Sequence, residues 1–556
     1  MNGLPRYDKP PLIYWLMGAV YALPGSVHWD PLGSWSARLP SALASITTML
    51  ALSDTLLRWP ASCHDEDVAP GAERPATAIS AALAFALGPL MLVWGRTEVS
   101  DALFTATLAL SLLLAWRTYA APRGPWWPCW CVLALAVLSK GPVAMVLFAL
   151  TFGLFWLLGA EGGRLQTRLR PLAGLALSLG LSVPWFALAL LREGKPYWDS
   201  FFGYHNLQRF SRVVNNHHQG HGYFFAVLVL ASLPFTPLLL FQLWRVLLQA
   251  RRPLAVPLSL GRFGAAWLLA VLLFFTLSAT KLPSYWLVAT PAAALLVALA
   301  PLQVARPDKG SARNPRSDGG LRLAMAATSV LLVLIGAALT LAPWWLPMIH
   351  DPTLPGLAGS LTRSPWLKLG AMVPLASALL LSGLVTSRPI PRLLQSQSAL
   401  LLLVPLVLLP VWQVGDQLRG APIRQLAVIA RDQGSPSEAL AMVGVIKPSL
   451  HFYSQRTVIF EGRSPNALVN LADRLDADFR PGLRPAPVDR QPTLLLLIDT
   501  ETAKQAHWLG LKGQDLAQAG PYQLWRLDRR WLVERARTLQ SAGSDPNWRQ
   551  PRPEMF

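Results

Sequence analysis

Arg6-Tyr7-Asp8-Lys9-Pro10-Pro11-Leu12-Ile13-Tyr14-Trp15-Leu16 sets an acid, a lysine and aromatic rings at the start of a hydrophobic segment. Charge at the lip of a membrane is costly unless it meets a polar ligand, so this run marks a place where something charged docks. The apolar stretch that follows, 11 to 24, is short and ends at Pro24-Gly25. It reads as a helix lying in the membrane interface, not as a span.

The rest of the chain supports a membrane setting. Of 556 residues, 53% are hydrophobic and only 14% charged, against about 25% charged in soluble domains. Apolar runs near 36–58, 76–95, 99–119, 126–139, 141–159, 171–191, 222–247, 263–280, 284–304, 321–346, 366–386 and 397–414 predict about twelve spans. The predicted class is therefore an all-α polytopic membrane protein. Net charge is +19, yet the excess is arginine spread over short loops. That pattern orients spans and gives no reason to invoke nucleic acid. One set of alternate loops holds roughly 18 Lys and Arg and the other roughly 8. The richer set is expected in the cytoplasm, which puts the N-terminal run, the loop 192–221 and the C-terminal tail outside. Cys63, Cys129 and Cys131 form no disulfide framework.

Past about residue 415 the composition turns to mixed charge with α/β rhythm. Short apolar runs at 441–446, 457–460 and 493–498, a helical segment from Glu501 and a strand at 522–527 predict a small extracytoplasmic domain. The expected division is 1–415 for the membrane domain and 416–556 for the α/β domain with a disordered tail.

The charges on the poorer side recur at span ends. They include Asp8 and Lys9; Arg96, Glu98 and Asp101; Lys140 in Ser-Lys-Gly-Pro; His205 and Arg209; and Lys281 with Tyr285. Several cations on one face suit a phosphate, and a carboxylate among them suits a general base. Singly, each has a blander reading: a lysine at a span end anchors by snorkelling, and Asp101 caps a helix N-terminus. Two other clusters read as polar loops: Cys63-His64-Asp65-Glu66-Asp67, which lacks a second half at zinc-like spacing, and His217, His218 and His221.

RYDKPPLIYWL, SARLPSAL (36–43), GRTEVSDAL (95–103), LSKGPVA (138–144), YHNLQRF (204–210) and TKLPSYWLVATPAAALL (280–296) occur in order. Together they resemble the aminoarabinose transferase branch of the protein O-mannosyltransferase-like superfamily, integral-membrane glycosyltransferases of type C fold. The resemblance covers most of residues 6–300. It implies an inverting transfer of a sugar from a polyprenyl-phosphate donor to a hydroxyl of a lipid A-like glycolipid, polysaccharide or protein, at the outer face of a bacterial inner membrane. It implies Lys9, Arg209, Lys281 and Tyr285 as donor-phosphate residues, with Lys140 beside them, and Asp101 and Asp8 as the catalytic acids. No cofactor is required, although Asp8 and His205 are residue types that hold a divalent ion. The family's principal catalytic aspartate lies in an Asp-Glu motif after a first span, upstream of the RYDKPP-like run. The expectation is that the chain starts late relative to its family, with a thirteenth span ahead of it. The alternative is a truncated, non-catalytic paralogue that binds lipid-linked sugar. A transporter or flippase would also have many spans, but would show two related halves with paired broken helices, and no such repeat is legible.

Overall fold

The computed structural model describes residues 7–26, 33–58, 70–121, 123–214, 219–302, 315–349, 351, 354, 356–477, 492–511 and 513–548. The cluster 63–67, His217 and His218 lie outside them. The chain forms two compact units, one of Tyr7–Leu339 with Gly370–Val404, the other of Thr340–Leu369 with Pro405–Phe556.

The first unit is helical. The entry run leads into the helix Leu12–Tyr21, whose Ile13 packs into a small apolar cluster with Ala44, Leu103 and Ala106. Every predicted apolar run is helical, but prolines cut several of them. The run 222–247 is two helices, Tyr223–Ala231 and Thr236–Leu248, bent by 116°, at a break carrying Pro234 and Pro237. The run 284–304 begins as a 3-10 turn, Pro283–Ala289, before the helix Thr290–Leu299. The run 76–95 is split into Pro70–Ala86 and Pro89–Trp94. Proline removes a backbone donor and clashes with the preceding turn, so an apolar run that contains it need not be one helix. Among the described residues, five helices are long and apolar enough to cross a membrane: Ser100–Ala120, Pro171–Glu193, Leu260–Leu277, Gly319–Thr340 and Pro389–Arg419.

Ser100–Ala120 is the pillar of this unit, buried along most of its length. Its Ser111 hydroxyl donates to the carbonyl of Cys129 at 2.8 Å, tying it to the helix Pro128–Lys140. That helix packs in turn on Pro171–Glu193, where a Cβ at Gly174 would fall 1.9 Å from Cε2 of Trp130. Only glycine admits the indole there, and the indole nitrogen then donates to the carbonyl of Leu169 at 2.9 Å.

The second unit contains a five-stranded sheet of order β2-β1-β3-β5-β4, with β1 Ala439–Val443, β2 Val458–Glu461, β3 Thr493–Asp499, β4 Gly513–Ala519 and β5 Tyr522–Asp528. β1 pairs in parallel with β2 and β3, while β5 runs antiparallel to β3 and β4. The Leu run of β3 is buried on both faces, as a central strand between helical layers must be. Helices Ala421–Gln433, Pro465–Ala477 and Arg529–Ser541 supply those layers. The expected helix at Glu501 is only the four-residue turn Thr500–Ala503, capped by Asp499.

Candidate functional site

Three short turns in the first unit carry the cations singled out in the sequence. Lys140 ends its helix because Gly141 takes φ +94° and Pro142 caps the next helix, Val143–Leu157. A side chain at Gly141 would meet Phe201 at 3.0 Å, so this turn sits against the segment that carries Phe201. That segment, Trp198–Gln208, is a π-helix, a conformation frequent at functional sites. It delivers His205 and leads directly into Arg209. Residues 209–214 are then stitched to the extended stretch 278–280, with Ala279 N–H donating to Phe210 O at 2.8 Å and Thr280 N–H to Arg209 O at 3.1 Å. The Thr280 hydroxyl donates to Arg212 O at 2.9 Å. Arg209 and Lys281 are thus held by one backbone seam.

Asp101 lies in the first turn of Ser100–Ala120 and accepts a 2.5 Å hydrogen bond from the Lys140 ammonium through Oδ1. That ammonium also lies 5.6 Å from the ring centres of both Phe104 and Tyr285. Phe104, three residues after Asp101, shares its helix face. The entry run contributes Asp8, which is buried, and Lys9, whose ammonium is 3.3 Å from Asp8 Oδ2. Burial lowers the Lys9 pKa; Asp8 opposes that shift, and the charges of Lys140 and Arg209 add to it. Lys9, Lys140, Arg209, Asp8 and Asp101 are therefore one electrostatic neighbourhood. Lys281 is almost fully buried and donates to Ser278 O at 2.6 Å. Among the described residues no carboxylate lies within ion-pair distance of it. The Nε of Arg209 is buried with no hydrogen-bond partner among those residues.

The structure also adds residues that the sequence did not single out. The Tyr7 hydroxyl donates to Glu193 at 2.6 Å and its ring meets Tyr197 edge-on at 5.5 Å. Burial first, then the Glu193 hydrogen bond and charge, push its pKa up to about 12. This bond fixes the entry run to the end of Pro171–Glu193, 186 residues away. Nothing local in the sequence pairs those two residues. Glu98 stands apart from the cluster, paired with Arg38 at 3.1 Å on an exposed surface. Arg96 donates to the Leu92 carbonyl. Around Asp8 and His205, as elsewhere among the described residues, no group of three His, Cys, Asp or Glu side chains is placed to hold a metal.

Three cations, Lys9, Lys140 and Arg209, around the carboxylates of Asp8 and Asp101 leave net positive charge, which suits a phosphate in a medium where Coulomb forces are strong. The chain is similar to several known proteins. The model of the dolichyl-phosphate-mannose-protein mannosyltransferase family matches residues 73–187. The C-terminal domain of cyanobacterial RgtA-type glycosyltransferases matches 433–543. The undecaprenyl phosphate-alpha-4-amino-4-deoxy-L-arabinose arabinosyl transferase of Pseudomonas aeruginosa is 31% identical over 342 residues, 58% of this chain and 55% of that protein. An uncharacterized protein of Aquifex aeolicus is 26% identical over 52% of this chain and 60% of its own length. The chain thus spans little more than half the length of these relatives. The crystal structure of ArnT from Cupriavidus metallidurans bound to undecaprenyl phosphate superposes with a TM-score of 0.70 at 21% identity, covering 94% of this chain and 89% of that one. The fold is accordingly that of the type C glycosyltransferases, and in sequence the chain is similar, over part of its length, to the aminoarabinose transferases and to the protein mannosyltransferase family.

Proposed function

We propose that the protein is an integral-membrane glycosyltransferase that moves a monosaccharide from a polyprenyl-phosphate carrier to an acceptor hydroxyl, with inversion. The observation that carries this reading is the shared electrostatic neighbourhood of Lys9, Lys140, Arg209, Asp8 and Asp101. The leaving group is a lipid phosphate, so charge builds on its oxygens as the glycosidic bond breaks. Lys9, Arg209 and Lys281 stabilise that charge, and the Tyr285 hydroxyl donates a hydrogen bond to it. Asp101 takes the proton of the acceptor hydroxyl through Oδ2 while Lys140 holds Oδ1. Asp8 orients Lys9.

The donor assignment is supported by the names of relatives and by the undecaprenyl phosphate bound in the Cupriavidus protein. A glycolipid of lipid A type is the first acceptor to be tried, with a polysaccharide or protein as the others. The surplus of arginine in alternate loops supports an outward-facing site in a bacterial inner membrane, residues 1–415 forming the membrane domain and 416–556 an extracytoplasmic domain. The test is transfer by the purified chain from synthetic polyprenyl-phosphate sugars to lipid A, following release of polyprenyl phosphate. Turnover supports the enzyme. Saturable donor binding without turnover would leave a lipid-sugar-binding protein instead.

A further inference from the structure

The helix Leu260–Leu277 is about 27 Å long at 1.5 Å per residue. Ser278, which holds Lys281, follows one end, and Arg262 sits on the first turn of the other. That far end carries a pocket lined by cationic side chains. The pocket, of about 510 Å³ counted out to its open mouth, is lined by Arg245, Arg262, Gln242, Gln249 and apolar side chains.

Gln242 and Arg245, three residues apart, share one face of the helix Thr236–Leu248. The Arg245 guanidinium donates to the carbonyls of Leu299 and Ala300 at 3.1 and 3.4 Å and lies 5.4 Å from the Phe241 ring centre. Arg262, 5% exposed, donates to the carbonyls of Gln249 and Arg252 at 2.8 and 2.6 Å. These carbonyls satisfy N–H groups but carry no full negative charge, and no described residue lining the pocket is a carboxylate. Among the described residues the two guanidiniums at this apolar boundary thus have no carboxylate lining their pocket, and an uncompensated charge there is costly. Gln242 gives a second, independent sign: it is 4% exposed, lines the same pocket, and its Oε1 has no hydrogen-bond partner among the described residues. An occupant carrying both an anion and a nearby O–H donor would satisfy all three side chains.

We propose that this pocket binds the phosphodiester of an anionic phospholipid headgroup, the phosphate set between Arg245 and Arg262 and a headgroup hydroxyl donating to Gln242. Its position at a helix end beside short arginine-bearing loops is where membrane proteins take up anionic lipid. The shared chemistry with a free phosphate is the oxyanion, and the lipid tail explains the apolar lining of Leu254, Leu258 and Leu302.

The full chain is reconstituted in nanodiscs of phosphatidylcholine alone or with phosphatidylglycerol, and retained lipid is counted by native mass spectrometry. Selective retention of phosphatidylglycerol with a raised thermal midpoint is expected. Arg245→Gln and Arg262→Gln each weaken retention about tenfold, the loss of one charge-assisted hydrogen bond. Arg252→Gln, whose side chain is exposed outside the pocket, leaves it unchanged. Should the arginine variants fail to fold, Gln242→Met keeps the volume, removes the unpartnered amide and still reduces the preference for phosphatidylglycerol. Equal retention of both lipids, wild-type retention by the variants, or stabilisation by inorganic phosphate to the same extent as by lipid would each overturn the proposal.

Discussion

The two ends of Leu260–Leu277 hold their cations by opposite means. At the arginine-rich end, guanidiniums are spent on backbone: besides Arg245 and Arg262, Arg164 donates to the carbonyl of Tyr119 at 2.7 Å and Arg168 to Ala121 at 2.9 Å. Five fixed donors per side chain make arginine suited to closing loops over helix ends. At the other end three of the four cations are lysines, two of them set against carboxylates. An ammonium is a compact charge on a flexible stem and can leave one partner for another at little geometric cost. The first arrangement builds structure; the second keeps charge available to a ligand. Each prediction below separates the two.

The largest effects fall on the lysines with the least redundancy. Lys281→Ala and Lys9→Ala should each lower kcat/KM for transfer from a polyprenyl-phosphate sugar by about 10²–10³, as for the loss of one preorganised donor to developing charge. Lys281→Arg should restore little, because a planar fork cannot reproduce the bond to Ser278 O in a buried site. Initial rates on purified variants decide it, and wild-type rates in both alanine variants would remove the phosphate assignment.

Asp101 comes next. Asp101→Asn keeps the shape and removes the basic oxygen, so kcat should fall about 100-fold with little change in donor KM. Lys140→Met should lose less, and the double variant should lose little more than Asp101→Asn alone, since the two groups act as one unit. Strict additivity in that cycle would mean that Lys140 serves the phosphate and not Asp101.

A smaller, pH-dependent effect follows from Lys9. Its folded pKa is lowered, chiefly by burial, so the folded protein releases this proton at a lower pH than the unfolded chain. Between those two values stability rises with pH, and below the folded value the charged lysine is a standing cost. Lys9→Met should therefore raise the thermal midpoint of the ligand-free protein at neutral pH while weakening donor binding. In the native protein, donor affinity should fall as pH climbs through the lowered pKa, and Lys9→Arg should move that fall to higher pH. A fall unmoved by Lys9→Arg would assign it to another group.

Much of this arrangement is legible in the sequence because its signals are local. The helical runs follow from hydropathy, and the cations Lys9, Lys140, Arg209 and Lys281 stand out because they fall in the loops poorer in Lys and Arg. In the second unit the runs at 441–446, 457–460, 493–498 and 522–527 each meet a strand. What is missed depends on contacts far apart in sequence or on weak local preference. β4, Gly513–Ala519, is a largely exposed strand of Gly, Gln, Asp and Ala, residues depleted in strands, and is recruited by pairing with β5. The break within 222–247 falls at Pro234, a single residue that hydropathy averages away. The bond from Tyr7 to Glu193 and the seam joining 209–214 to 278–280 exist only in the folded chain. The sequence names the participants; folding decides which of them meet.

The smallest effect tests the boundary of the cluster. Arg96, Glu98 and Asp101 are neighbours in sequence, and Asp101 is the one among the described residues that pairs with Lys140. Glu98 turns to Arg38, and both side chains are about half exposed. Solvent screening and the entropy of two long side chains leave such a pair about 0–1 kcal/mol. Arg38→Ala and Glu98→Gln should therefore shift the thermal midpoint by a degree or so and leave kcat/KM within about twofold. A loss near that of Asp101→Asn would bring Glu98 into the site, with substrate drawing it away from Arg38. That result would move the edge of the lysine-bearing end outward by one helix turn, and it would make the exposed pair a latch instead of a surface contact.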